Sequence, residues 1–152
     1  MTDFNKLYDA KELQESIKKA KENGGNYEEV PVGKYEVKVE KIELGETKDG
    51  KPMGKIQFRI IEGKFKKSCL FYNQVLVGKD KETGRLTAFG MYNFNQFLKS
   101  LDTRVNVEFV DFNQYADMLL DIAEDVEALT YAIQYGKKND FPTFKVLDIY
   151  ED

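Results

Sequence analysis

Histidine and tryptophan are absent from the 152 residues, and cysteine occurs once. Without histidine the chain lacks the side chain that most often moves protons near neutral pH and most often ligates transition metals. With Cys69 as its one thiol, it can build neither a zinc finger nor a cysteine–histidine nucleophile. A single thiol closes no internal disulfide, which fits a reducing intracellular setting. No glycine-rich dinucleotide fingerprint, phosphate loop or nucleophile-elbow sequence occurs. No apolar run approaches the ~18 residues of a membrane span. The opening MTDFNKLYDAKELQ has no apolar segment of the secretory kind. These absences lead us to expect a cytoplasmic protein that is not an enzyme and uses no cofactor or metal.

Charge is plentiful but unevenly placed. The formal net charge is −4. Residues 31–79 hold eleven Lys/Arg against six Asp/Glu, whereas residues 102–130 hold one Arg against eight acids. The chain is electrically two-sided along its length, a pattern that solvated strand and helix faces also produce.

The basic stretch alternates. Tyr35, Val37 and Val39 fall on one side of an extended chain and Lys34, Glu36, Lys38 and Glu40 on the other, as in a half-buried strand. The phase slips near Glu40-Lys41, after which Ile42 and Leu44 are the apolar pair. One extra residue there predicts a β-bulge. A turn over 45–52 centres on Asp49-Gly50. Ile56, Phe58 and Ile60 then alternate with Lys55, Gln57 and Arg59, and a third strand is expected over 68–77.

Ahead of this meander, Ala10, Leu13, Ile17 and Ala20 recur at helical steps, predicting a helix over 4–23 that ends at Asn23-Gly24-Gly25-Asn26. It should pack on its own domain or, alternatively, on a neighbouring subunit. Behind the meander, a polar loop over 78–90 leads to a helix over 92–101, a brief strand over 105–109 and a second helix over about 114–126. A closing hairpin pairs 129–135 with 143–150 around the basic turn GKKNDFP. We therefore divide the chain into 1–26, a helix and linker, and 27–152, one domain with a helical insert at about 91–126.

Three strands, a helical insert and two strands, with a bulged first strand, is the element order of an OB-fold, a five-stranded, partly open Greek-key barrel of mainly β, α+β character. A β-sandwich or an open sheet capped by helices is the alternative. In an OB-fold the ligand lies on strands 2 and 3 between the 1–2 and 4–5 loops. Here those loops carry Lys48 and Lys51, and Lys137 and Lys138. Lys55 and Arg59 would line the floor, Lys34 and Lys38 the wet side of strand 1, and Lys64, Lys66 and Lys67 the next turn. Aromatic candidates are Phe65, Tyr72, Tyr135 and Phe141. Either Phe71 or Tyr72 must point inward, and Tyr72 is expected outward. Lysines neutralise phosphates and aromatics stack on bases, so this combination suits a single strand.

The opening strand VPVGKYEVKVEKIEL, the hairpin TKDGKPMGKIQFRIIEGKFK and the following LFYNQVL resemble the small single-stranded-DNA-binding-like proteins of bacteriophages and prophages of Gram-positive bacteria. The resemblance covers roughly 27–77 well and the rest of the chain loosely. It implies an OB-fold, binding of single-stranded DNA, and a role in phage DNA replication or recombination inside the bacterial host cell. As partners it allows phage or host replication proteins and further copies of the chain. Bacterial single-strand binders usually end in a long flexible tail with an acidic, apolar tip, whereas this sequence ends LDIYED directly after a predicted strand, a departure from that pattern that puts tail-mediated recruitment in doubt.

Two other readings use the acidic segment. Asp117 and Asp121 lie one helical turn apart, with Glu124 and Asp125 close by, and could share a cation in a nuclease. Their alternation with Met118, Leu119 and Ile122 is instead that of an amphipathic helix with a solvated face. The segment could also dock a basic protein of a replication complex.

Overall fold

The structure, a computed structural model, describes residues 8–22 and 30–151. The chain divides into two compact units, Met1–Pro31 and Val32–Asp152. In the first, helix α1 spans Ala10–Glu22. Asp9 begins it, its carboxylate accepting from Lys11 N at 2.9 Å, the usual way to satisfy an orphan N–H at a helix start. The expected helix start at residue 4, the linker and the 26/27 boundary lie outside the described residues.

The second unit runs β1 (Gly33–Glu46), β2 (Pro52–Ile60), β3 (Cys69–Val75), β4 (Gly78–Lys79), β5 (Leu86–Thr87), α2 (Phe89–Ser100), α3 (Phe112–Asp125), β6 (Leu129–Lys138) and β7 (Phe141–Glu151). Five strands form one antiparallel sheet in the order β3-β2-β1-β6-β7. β1 organises it. Its first half, Gly33 to Val37, ladders with β6, and its second half, Val37 to Glu46, ladders with β2. The predicted bulge is present, as a register shift between Val39 and Lys41. A bulge increases local twist and bends the strand, so the sheet curls about β1 and its two edges, β3 and β7, approach one another.

No backbone ladder joins those edges among the described residues. The architecture is therefore a curled, open five-stranded antiparallel sheet with helices, of the mainly β, α+β character expected. Aromatic side chains bridge the gap instead. Phe144 of β7 stacks on Tyr72 of β3, with centroids 5.4 Å apart and 14° between planes, and on Tyr135 of β6 at 5.4 Å.

The inner face holds the core: Val37, Val39, Ile42, Ile56, Phe58, Ile60, Leu70, Tyr131 and Ile133 are buried. The helical layer covers it. Phe97 of α2 meets Phe58 and Tyr72 edge-on, and Tyr131 Oη donates to the Leu101 carbonyl at 2.7 Å. Gly54 on β2 makes room for this layer, because a Cβ there would sit 2.5 Å from the Phe94 ring. In α3, Tyr115, Met118, Leu119 and Ile122 turn inward. Its N-cap Asp111 accepts from Gln114 N, and Gln114 reaches back to accept from Val110 N, a reciprocal cap that satisfies two end N–H groups.

Two local expectations are corrected. Residues 105–109 form no strand, because Arg104 and Thr103 are tied to Asp125 of α3 and not to the sheet. The loop over 78–90 is organised as the two-stranded β4–β5 ribbon, whose turn is pinned by Asp80 accepting from the backbone N–H groups of Glu82 and Thr83. Those donors hold the Asp80 carboxyl below its ordinary pKa.

Candidate functional site

Strand alternation leaves one side of β1, β2 and β3 facing away from the core. On β2 this side presents Lys55, Gln57 and Arg59; the register sets Phe71 beside Gln57, Asn73 beside Lys55, and Glu43 beside Lys55 from the other flank. A shallow depression there is lined by Lys41, Glu43, Lys55, Ile56, Gln57, Phe71 and Asn73. Its volume, ≈ 180 Å³, is below the ~300–1,000 Å³ of pockets that enclose small molecules. It is a surface footprint. Phe71 stands 52% exposed within it, and Gln57 Nε2 contacts Cys69 Sγ at 3.3 Å.

The expected orientation of residues 71 and 72 is reversed. Phe58 pairs with Leu70 and Ile56 with Tyr72, so Tyr72 shares the inward side of two core residues and Phe71 must face out. Tyr72 is enclosed by Phe94, Phe97 and Phe144, and burial raises its pKa. Tyr135 is likewise removed from the candidate surface, buried and stacked on Phe144. Phe65 is half-buried: it meets Tyr35 edge-on at 6.3 Å and lies beneath Lys64 Nζ at 5.5 Å. Phe141 is 74% exposed.

The lysines fall into groups fixed by the register. Lys48 and Lys51 sit in the β1–β2 turn, at the end of β1 marked by Glu46. Lys64, Lys66 and Lys67, between β2 and β3, lie toward the other end, where Ile61 N donates to the Glu36 carbonyl. So do Lys137 and Lys138, since Gly33 pairs with Tyr135. The β6–β7 turn is tighter than expected: only Asn139 and Asp140 lie outside the strands, both at positive φ of 52° and 65°, as a two-residue hairpin turn requires. Lys137 and Lys138 are thus strand residues.

Between the two ends the outward side of β1 alternates in sign, so the surface it shares with β2 is not uniformly basic. Lys34 and Lys38 are interspersed with Glu36 and Glu40. Arg59 donates to both oxygens of Glu40, at 2.8 and 2.9 Å, and to the Lys67 carbonyl at 2.7 Å. Lys67 adopts a left-handed φ of 78°. Lys55 lies across β1, its Cε 2.7 Å from where a Cβ on Gly45 would be.

The acidic segment sits apart from this depression. Asp117, Asp121 and Glu124 are exposed on α3, and none of them lines it. Asp125 is held by Arg104 and Thr103, and their hydrogen bonds keep its carboxyl below the ordinary carboxylate range. Among the described residues no three acidic or thiol side chains converge on a position that could hold a metal ion. No helix among them is long and apolar enough to cross a membrane.

Sequence reasoning missed Lys41, Gln57, Phe71, Asn73 and Glu43. The usable signal was the phase of Ile56 and Phe58, but it transfers to β3 only once the pairing register across residues 61–68 is known.

A mixed α+β chain with a curled antiparallel sheet and an exposed polar–aromatic face is the class these features define. The profile of the family described as "Protein of unknown function (DUF669)" matches residues 15–145, and the chain belongs to that family. No curated protein matches the chain.

Proposed function

We propose that the protein binds single-stranded DNA, without catalysis, on the outward side of β1, β2 and β3. The observation that carries this reading is Phe71: a large aromatic ring, half exposed, set among Lys41, Lys55, Gln57 and Asn73. A base can stack on such a ring at about 1–3 kcal/mol, with little sequence preference. Ammonium groups beside it neutralise phosphates and release counterions. Amide side chains can pair with base edges. The depression is too shallow to enclose a small molecule and suits a ligand that lies along a surface.

The strand order and the curl about β1 support reading the sheet as a partly open OB barrel. The β1–β2 turn and the β6–β7 turn then lie toward opposite ends of the binding path, with Lys48 and Lys51 at one and Lys137, Lys138 and Phe141 at the other. With the sequence resemblance this supports a role in phage or prophage replication or recombination in a bacterial host.

Fluorescence titration with labelled oligo-dT across a salt series tests the proposal. We expect saturable binding that weakens linearly in log–log coordinates as salt rises. Affinity at low salt no better than that of an acidic carrier protein such as albumin would overturn it.

A further inference from the structure

Within the depression one lining side chain differs in kind from the rest. Lys41 and Lys55 donate hydrogen bonds, and Gln57 and Asn73 can both donate and accept. Glu43, when ionised, only accepts. It lies directly across the ladder from Lys55, on the same outward side as Phe71. Lys41 Nζ is 3.5 Å from its Oε2, with the Lys41 side chain 59% and the Glu43 side chain 38% exposed. An exposed pair of that length is weak, and a carboxylate has room for about four hydrogen bonds.

A carboxylate is a poor element for gripping phosphate, and it repels the backbone it lies near. Its use at such a place is toward a base. Cytosine and adenine carry exocyclic amino groups that donate to a carboxylate, whereas thymine presents carbonyl oxygens on either side of its one N–H. Resting on the single-strand reading above, we infer that Glu43 selects the base stacked on Phe71, favouring bases with an exocyclic amino group over thymine. Lys41 and Lys55 would hold the flanking phosphates, and Gln57 and Asn73, able to present either polarity, would not discriminate.

The test compares oligo-dC with oligo-dT of equal length, on the full chain at mildly alkaline pH. Two pyrimidine strands are chosen because neither is strongly self-stacked, so unstacking does not bias the comparison. The wild-type chain should bind oligo-dC about fivefold more tightly, near the low end for one well-placed side chain. Glu43→Gln replaces an acceptor with a near-isosteric amide of either polarity on the outward side of β1, leaving the fold intact by circular dichroism. It should bring the ratio close to one, chiefly by tightening oligo-dT binding. Equal wild-type affinities, or a preference that survives in E43Q, would overturn the inference while leaving single-strand binding standing. Failure to bind either strand would overturn the single-strand reading itself, and this inference with it.

Discussion

Tyr72 and Phe144 belong to opposite edge strands of the sheet, yet their rings lie nearly parallel, 5.4 Å apart. β3 and β7 share no hydrogen-bonded ladder, so this stack, extended by Tyr135, which also stacks on Phe144, is a side-chain substitute for closing the sheet. Stacked aromatic pairs contribute about 0.5–1.5 kcal/mol beyond the area they bury.

Replacing Phe144 with Ala should therefore destabilise the fold toward the low end of the ~3–5 kcal/mol typical of Phe-to-Ala changes, since the ring is half-buried. Urea unfolding measures this. Near-ultraviolet circular dichroism should lose tyrosine signal in the folded baseline, because Tyr72 and Tyr135 lose their shared partner. A change below about 0.5 kcal/mol, the scale of ordinary surface substitutions, would mean the stack does not hold the edges together.

Neighbouring residues on β3 should separate stability from binding. Phe71→Ala should leave the melting temperature nearly unchanged and weaken oligo-dT binding by about 1–3 kcal/mol. Tyr72→Ala should cost about 3–5 kcal/mol of stability, because it empties a site between three phenylalanines. Thermal melts and titrations on both variants check the pair. The reverse pattern would assign the outward side to Tyr72.

Glu40 occupies the guanidinium fork of Arg59 as a phosphate would. Exposed pairs contribute little to stability, about 0–1 kcal/mol, so Glu40→Gln should barely shift the unfolding midpoint. It should release Arg59 toward the DNA backbone and steepen the log–log salt dependence by about 0.7, the increment for one phosphate contact on a single strand. An unchanged slope would place Arg59 off the binding path, as a brace for the Lys67 carbonyl.

Asp125 links α3 to residues 103 and 104 by accepting from Arg104 N, the Thr103 hydroxyl and the Arg104 guanidinium. These bonds lower its folded-state pKa. A carboxyl depressed on folding contributes stability that is present above its unfolded pKa, about 3.9, and is lost as pH falls toward the folded value. Asp125→Asn should reduce stability at neutral pH by about 1–2 kcal/mol and flatten the decline of stability below about pH 4. Denaturant midpoints measured from neutral to acid pH check both. An unaltered acid limb would show that other carboxylates dominate it.

Alkaline stability carries the opposite sign. Burial raises the Tyr115 and Tyr131 pKa values, with Tyr72 adding to the first and Asp102 and Asp125 to the second. Both phenols ionise more readily in the unfolded chain, so their contribution is complete below about pH 10 and is lost as pH rises above it. Ultraviolet titration should show these two tyrosines ionising only as the chain unfolds. Reversible titration of every tyrosine in the folded state would contradict their burial.

Much of the strand pattern was legible because strand periodicity is local. Val37, Val39, Ile56, Phe58 and Ile60 declared the inner side of β1 and β2, and the phase slip at Glu40-Lys41 announced the bulge. Phe94, Phe97 and Leu98 marked α2, and Met118, Leu119 and Ile122 marked α3. Residues 105–109 alternated as a strand would, but with Thr103 and Arg104 tied to α3 they had no ladder to join. The orientation of Leu70-Phe71-Tyr72 was ambiguous, since apolar residues occupy both phases.

The sequence alone determined the charge asymmetry, the alternating runs and the absence of histidine, because each is a property of residues or of their nearest neighbours. Tertiary structure decided which of Phe71 and Tyr72 faces out, that Glu40 holds Arg59, and that side-chain stacking rather than backbone pairing spans β3 and β7. Those outcomes depend on the register between strands separated by long stretches of chain. Such a register is set by the packing of the whole inner face, and a one-residue slip would exchange the two sides.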